Sequence, residues 1–208
     1  MPALAFATLG SPDRIARGVA EVGVISDAQL LALAAESRRD ALDALYSAYK
    51  SRIYTFLLRF LADPELADDV TQEAFTKAFN ALPKLERGTK VLPWLYKVAS
   101  NTAIDHLRRR KRFTWIRIGA MQDTPHEPHA ADASGAVGER EHVQAILRSL
   151  PPENAVALLL HALEGYSYKE IAEIQGCSLT AVRSRIARAR ASFRRTYTQT
   201  GTETRQIG

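Results

Sequence analysis

Six arginines and no acid mark the last long periodic segment of this 208-residue chain. From Leu179 to Phe193 the apolar residues Val182, Ile186, Ala189 and Phe193 recur at helical spacing, so they share one face. Arg183, Arg190 and Arg194 flank that stripe on one side; Arg185, Arg188 and Arg195 lie on the other. No Asp or Glu occurs between Glu173 and Glu203. A packed helix with uncompensated positive charge on both flanks needs a polyanion to sit against, and nucleic acid is the usual one. The chemistry on offer is recognition of phosphates and base edges. The chain offers no nucleophile–base set, no paired carboxylates and no glycine-rich phosphate loop, so a nucleic-acid-processing enzyme has no residues to carry it.

A second basic run, Arg108-Arg109-Arg110-Lys111-Arg112, closes an earlier helical pattern. Cations at a helix C-terminus gain about 0.3–1 kcal/mol each against the dipole, but five in succession repel one another, which favours a phosphate contact. On the same helix Lys97, Asn101 and Arg108 fall on one face, with Trp94 beside them. Aromatic and amide groups near a basic run suit unstacked single-stranded bases. Trp94 serves a core equally well. Asp68, Asp69, Gln72 and Glu73 make a small acidic face on a basic protein. A solvated surface and a docking face for a basic protein partner both account for it. His126, Glu127 and His129 lack the spacing of a helical zinc motif. His106 beside Asp105 points to a different face. Cys177, the single cysteine, reads as a small packed residue. No metal and no cofactor is expected.

These groups need helices to place them, and helical periodicity dominates two stretches. Ser26 and Gln29 have capping-box spacing. Leu42, Leu45, Tyr49, Ile53, Phe56 and Phe60 form the face of a longer helix. Asp63 before Pro64 starts a third, which buries Leu66, Val70, Ala74 and Phe79 and ends at Pro83. A loop containing Gly88 leads to a fourth helix from about Pro93 to Arg112. Residues near 121–138 lack periodicity and read as a flexible linker. Beyond it, Val143, Ile146, Leu147 and Leu150 share one face, Pro151 and Pro152 open the next helix, and Gly165 stops it. Ser167 and Glu170 form another capping box, and Gly176-Cys177-Ser178 turn the chain into the arginine helix. Short helix, glycine-containing turn and second helix make a helix-turn-helix, with Ala172 as the small residue between them. Thr180, Ala181, Arg183, Ser184, Arg185 and Arg188 then face the major groove.

The expected fold is all-α: two small helical domains joined by a flexible linker, the second a helix-turn-helix domain. The divisions are 1–25 as a weakly ordered extension, 26–117 as the first domain, 118–138 as linker, 139–197 as the second domain and 198–208 as a tail. A 46% hydrophobic and 25% charged composition fits a soluble globular protein. One cysteine fits a reducing compartment, no apolar run reaches the roughly 20 residues of a membrane span, and residues 1–10 lack the basic start of a signal peptide. A cytoplasmic protein without membrane insertion is expected.

Several segments together resemble bacterial RNA polymerase sigma factors. Residues 67–75, Ala-Asp-Asp-Val-Thr-Gln-Glu-Ala-Phe, are similar to the family's core-polymerase-binding helix. Residues 94–109, from Trp94 to Arg109, resemble the helix that meets the melted minus-ten element. Leu150-Pro151-Pro152, residues 165–172 and residues 180–185 resemble the domain that reads the minus-thirty-five element. The two-domain layout is similar to that of the extracytoplasmic-function group. The resemblance implies polymerase binding by Asp68, Asp69, Gln72 and Glu73. It implies minus-ten contacts from Lys84, Arg87, Lys90, Trp94, Lys97, Asn101, Arg108 and Arg109, with the loop 84–92 capturing a flipped base. It implies minus-thirty-five contacts from Thr180, Arg183, Ser184, Arg185 and Arg188. Core RNA polymerase, promoter DNA as duplex and melted strand, and an anti-sigma factor are the implied partners. Lys90-Val91-Leu92-Pro93 departs from the more polar or aromatic approach usual in the family. A stand-alone helix-turn-helix regulator is the alternative: the first domain would then serve dimerisation or sensing.

Overall fold

The computed structural model describes the backbone of residues 25–118 and 135–203, and the side chains of 25–112 and 141–195. Among the described residues the regular structure is helical, without strands. The first domain comprises α1 (Asp27–Glu36), α2 (Arg38–Leu61), α3 (Pro64–Ala81), a 3-10 turn (Leu82–Lys84) and α4 (Val91–Ile118). The second comprises α5 (Gly135–Ser149), α6 (Pro152–Ala162), α7 (Tyr168–Gln175) and α8 (Leu179–Glu203).

The helix starts follow from local chemistry. Ser26 Oγ accepts from Gln29 N–H at 3.2 Å while Ser26 N–H donates to Gln29 Oε1 at 2.9 Å, the reciprocal box expected from their spacing. Asp63 Oδ1 accepts from Leu66 N–H at 3.1 Å, with Pro64 in the first turn. Pro83 does not stop α3 abruptly; the chain tightens into the 3-10 turn first. α4 starts at Val91, so Pro93 still falls within its first turn, where its missing N–H removes no intrahelical bond. α4 also runs to Ile118, past the basic run where the apolar pattern fades. α5 begins at Gly135, before the expected start near Glu139. Most of the expected linker, with His126, Glu127 and His129, lies outside the described residues, as does the 1–24 segment.

In the first domain α2 packs on α1, α3 and α4, and α3 packs on α4. Leu45, Ile53, Phe56, Leu57, Val70, Ala74, Leu95 and Tyr96 are all buried. In the second, α6 and α7 pack on α8 around Val156, Leu159, Leu160, Ile171, Val182 and Ile186. The two domains also touch: α4 meets α6 and α7, and α2 meets α5 and α6. No helix among the described residues is long and apolar enough to cross a membrane.

Candidate nucleic-acid interface

The second domain builds a helix-turn-helix from its caps inward. Ser167 Oγ accepts from Glu170 N–H at 3.3 Å, and Ser167 N–H donates to Glu170 Oε2 at 2.9 Å, which starts α7; the Ser167 hydroxyl, donating to the same oxygen at 2.7 Å, and then the Ser167 N–H hold the Glu170 carboxyl below its ordinary range. α7 ends at Gly176, whose φ of +61° lies in the left-handed region. There Cys177 N–H donates to Ala172 C=O at 3.0 Å, and Ser178 Oγ accepts from Ala181 N–H at 3.2 Å to open α8. Val182, Ile186, Ala189 and Phe193 are buried, as their spacing requires.

The opposite face of α8 is open. Thr180, Arg183 and Arg188 are exposed and Ser184 is half-buried. Leu179, at the front of the helix, is 40% exposed, the one exposed large hydrophobic among the described residues. Arg185 is placed differently from its neighbours. Its Nη1 donates to Gln175 Oε1 at 2.7 Å and to Cys177 Sγ at 3.3 Å. Gln175 in turn donates from Nε2 to Glu153 C=O at 2.9 Å. Arg185 thus ties α8 to the end of α7 and, through Gln175, to the start of α6.

In the first domain Lys97, Asn101, Arg108 and Arg109 are exposed along α4, while Trp94 is half-buried against the core. Lys84, Arg87 and Lys90 are exposed around the turn that precedes it. That turn is closed by Thr89, whose N–H and Oγ1 both donate to Glu86 C=O, with Gly88 at a φ of +89°. Arg108 Nη2 reaches Glu153 Oε1 at 2.8 Å, across to the second domain.

The acidic face on α3 divides in two. Asp69 and Gln72 are exposed, and Gln72 Nε2 donates to Asp68 Oδ2 at 2.7 Å. An apolar-lined cleft of about 510 Å³ runs beside them, walled by Leu42, Tyr46, Phe75 and Phe79. Glu73 is instead engaged internally. Its Oε2 lies 2.6 Å from His106 Nε2 and its Oε1 lies 2.7 Å from Lys77 Nζ. The hydrogen bond to His106 comes first, and with that to Lys77 it holds the Glu73 carboxyl down at about 2. This tie between α3 and α4 escapes a reading that weighs His106 only against its neighbour Asp105; the Glu73–Lys77 spacing of four is the one local signal for it.

A second cluster joins the domains. Glu164, in the turn between α6 and α7, has a side chain only 7% exposed. Its Oε2 accepts from Tyr96 OH at 2.5 Å and from Arg52 Nε at 3.0 Å. Arg52 Nε also reaches Tyr96 OH at 3.1 Å. Tyr166 meets Tyr96 edge-on with ring centroids 5.7 Å apart, and Tyr96 meets Phe56 the same way at 5.0 Å. Burial first, then the Glu164 carboxylate, raises the Tyr96 hydroxyl well above its ordinary range. Burial pushes that of Tyr166 up to about 12. Below the cluster a cleft of about 360 Å³ is lined by Asn101, Arg108, Glu153, Gln175 and Arg185, with the buried Ser100 hydroxyl at its wall.

Two family models match the chain: Sigma-70 region 2 over residues 45–113 and Sigma-70 region 4 over residues 140–193. The RNA polymerase sigma-H factor of Pseudomonas aeruginosa is 33% identical over 176 residues, covering 80% of this chain and 91% of that protein. The ECF RNA polymerase sigma factor SigM of Bacillus subtilis is 31% identical over 160 residues, covering 75% and 94%. In fold the chain is similar to the sigma factor RpoE solved in complex with the anti-sigma factor NepR from Bartonella quintana. The TM-score is 0.59 at 21% identity, over 75% of this chain and 96% of that one.

Proposed function

The chain belongs to the RNA polymerase sigma factors, in the extracytoplasmic-function group, and from that we propose how it divides its work. It directs core RNA polymerase to promoters; the division of that task among its surfaces is our reading. The exposed face of α8, with Thr180, Arg183, Ser184 and Arg188, takes the minus-thirty-five duplex: base edges meet the front of the helix and phosphates the arginines around it. Arg185 supports that face by holding α8 against α7. The exposed stripe Lys97, Asn101, Arg108 and Arg109 of α4, with Lys84, Arg87 and Lys90 in the preceding turn, takes the minus-ten strand once it is melted. Trp94 stacks from its half-buried seat. Unstacking a base costs a few kcal/mol, which such contacts offset.

Asp69 and Gln72, with Asp68 beside them and the apolar cleft alongside, form the surface for the polymerase. Glu73 sets that surface by holding α3 to α4. The chain itself makes and breaks no bonds, and it works in the cytoplasm, where the polymerase is. By analogy with the Bartonella quintana complex, an anti-sigma factor holds this protein inactive by covering these surfaces. The observation that carries the reading is the open cationic face of α8 on a buried Val182–Ile186 stripe. Core polymerase mixed with this protein is expected to initiate from a promoter library. Asp69→Lys is expected to abolish polymerase binding while leaving minus-thirty-five duplex binding intact. Equal polymerase binding by Asp69→Lys and wild type would overturn the α3 assignment.

A further inference from the structure

Leu179 is the first residue of α8 and is 40% exposed, the one large hydrophobic side chain left open among the described residues. It stands three positions before Val182 and seven before Ile186, so it continues the apolar stripe that those residues bury. At this end of the helix the stripe outruns the core. Leu179 also stands four positions before the exposed Arg183, one turn ahead of it along the same flank. Side chains of a helix lean toward its N-terminus, so the first one projects past the end of the backbone. An apolar face left open there adds little to the fold, and it is placed to meet whatever the front of α8 meets.

The surroundings decide what that is. Thr180, Arg183 and Arg188 are exposed on the same helix, and no Asp or Glu lies between Glu173 and Glu203. A front so bordered by cations suits a phosphate-edged surface and not an apolar protein groove. In the major groove of duplex DNA the apolar group on the base edges is the C5-methyl of thymine; the other edge positions that distinguish the pairs are hydrogen-bond donors and acceptors. We propose that Leu179 reads a thymine methyl and so fixes one A·T pair of the minus-thirty-five element, beside the pair that Arg183 meets. This rests on the assignment of the α8 face to the minus-thirty-five duplex. A leucine side chain has no polar atom. Against a G·C pair it strips water from guanine O6 or cytosine N4 and returns no hydrogen bond. Discrimination therefore has two sources: apolar contact with the methyl, and a donor or acceptor left unpaired on the wrong pair.

Deoxyuridine differs from thymidine by the missing methyl alone, so the test replaces the thymines of the minus-thirty-five element by deoxyuridine one at a time. The element comes from a promoter recovered with wild-type holoenzyme, this full chain on core RNA polymerase. At one position the replacement is expected to weaken wild-type promoter binding about three- to fivefold, the size of one buried methyl. Holoenzyme carrying Leu179→Ala is expected to bind the parent promoter about as weakly, and to be indifferent to deoxyuridine at that position. Leu179→Met keeps an apolar side chain of similar reach and is expected to keep the sensitivity. Leu179→Gln replaces the alanine variant should that one fold poorly, as judged by circular dichroism, and is expected to show the same indifference. Matching deoxyuridine losses in wild type and Leu179→Ala at every position overturn the proposal, as does a wild type insensitive to every methyl. A wild-type holoenzyme indifferent to all base changes in the element, and not to its methyls alone, overturns the α8 assignment itself and this inference with it.

Discussion

Glu73 shows how one carboxylate can belong to a surface and to the frame beneath it. Its partners His106 and Lys77 hold its carboxyl at about 2, against an ordinary value of 4.5. A folded-state value below the unfolded one stabilises the fold wherever the unfolded group is ionised, above about 4.5, and that stabilisation is lost as pH falls toward about 2. Urea unfolding of wild type and Glu73→Gln is expected to give a difference in stability that shrinks as pH falls from about 4.5 toward about 2. A difference that does not change with pH would remove the tie. The side chain is about a third exposed, so the effect is a modest one. From the amino-acid order only the Glu73–Lys77 half of the tie is legible. His106 is 33 positions away, and a pair that distant is set by how α3 lies on α4, which no local spacing encodes.

At the scale of the element, the helix-turn-helix divides its side chains between holding and reading. A Cβ at Gly176 would meet nothing within 4 Å, so Gly176→Ala acts through the backbone alone. It should cost about 1 kcal/mol for a left-handed alanine and lower the melting temperature by a few degrees. Arg185→Ala should lower both the melting temperature and duplex affinity, because it frees Gln175 and Cys177 as well as α8. Arg183→Ala should leave melting unchanged and weaken minus-thirty-five binding by about 1–3 kcal/mol, relaxing preference at one base pair. If Arg185→Ala behaves like Arg183→Ala, its fold-back on α7 plays no part. The starts of α1, α3 and α7 and the turn of the motif were readable in advance, since Ser26, Asp63, Ser167 and Gly176 act on neighbours a few residues away. The buried stripe of α8 was equally legible. Which arginines point outward was not: Arg183 and Arg185 are two apart, and only the position of Gln175 separates their roles.

At the scale of the molecule, the flexible linker expected over 118–138 lies mostly outside the described residues, and the domains on either side of it are in contact. The domains meet through Glu164, Arg52 and Tyr96, residues that no motif singles out, because a contact between positions 112 apart leaves no trace in periodicity. Part of that contact is electrostatic and open to solvent: the Arg52 and Arg108 side chains are 48% and 61% exposed. Screening shortens from about 10 Å at 0.1 M salt to about 3 Å at 1 M. The wild-type radius of gyration is therefore expected to grow with salt, and that of Glu164→Gln to stay nearly flat. Parallel salt curves for the two would show that charge does not hold the domains together. Parting the domains would uncover the facing rings of Tyr96 and Tyr166, which now cover one another. Exposed rings of this kind favour self-association, so the seating of the α6–α7 turn on the first domain also hides a surface on which copies of the protein could clump.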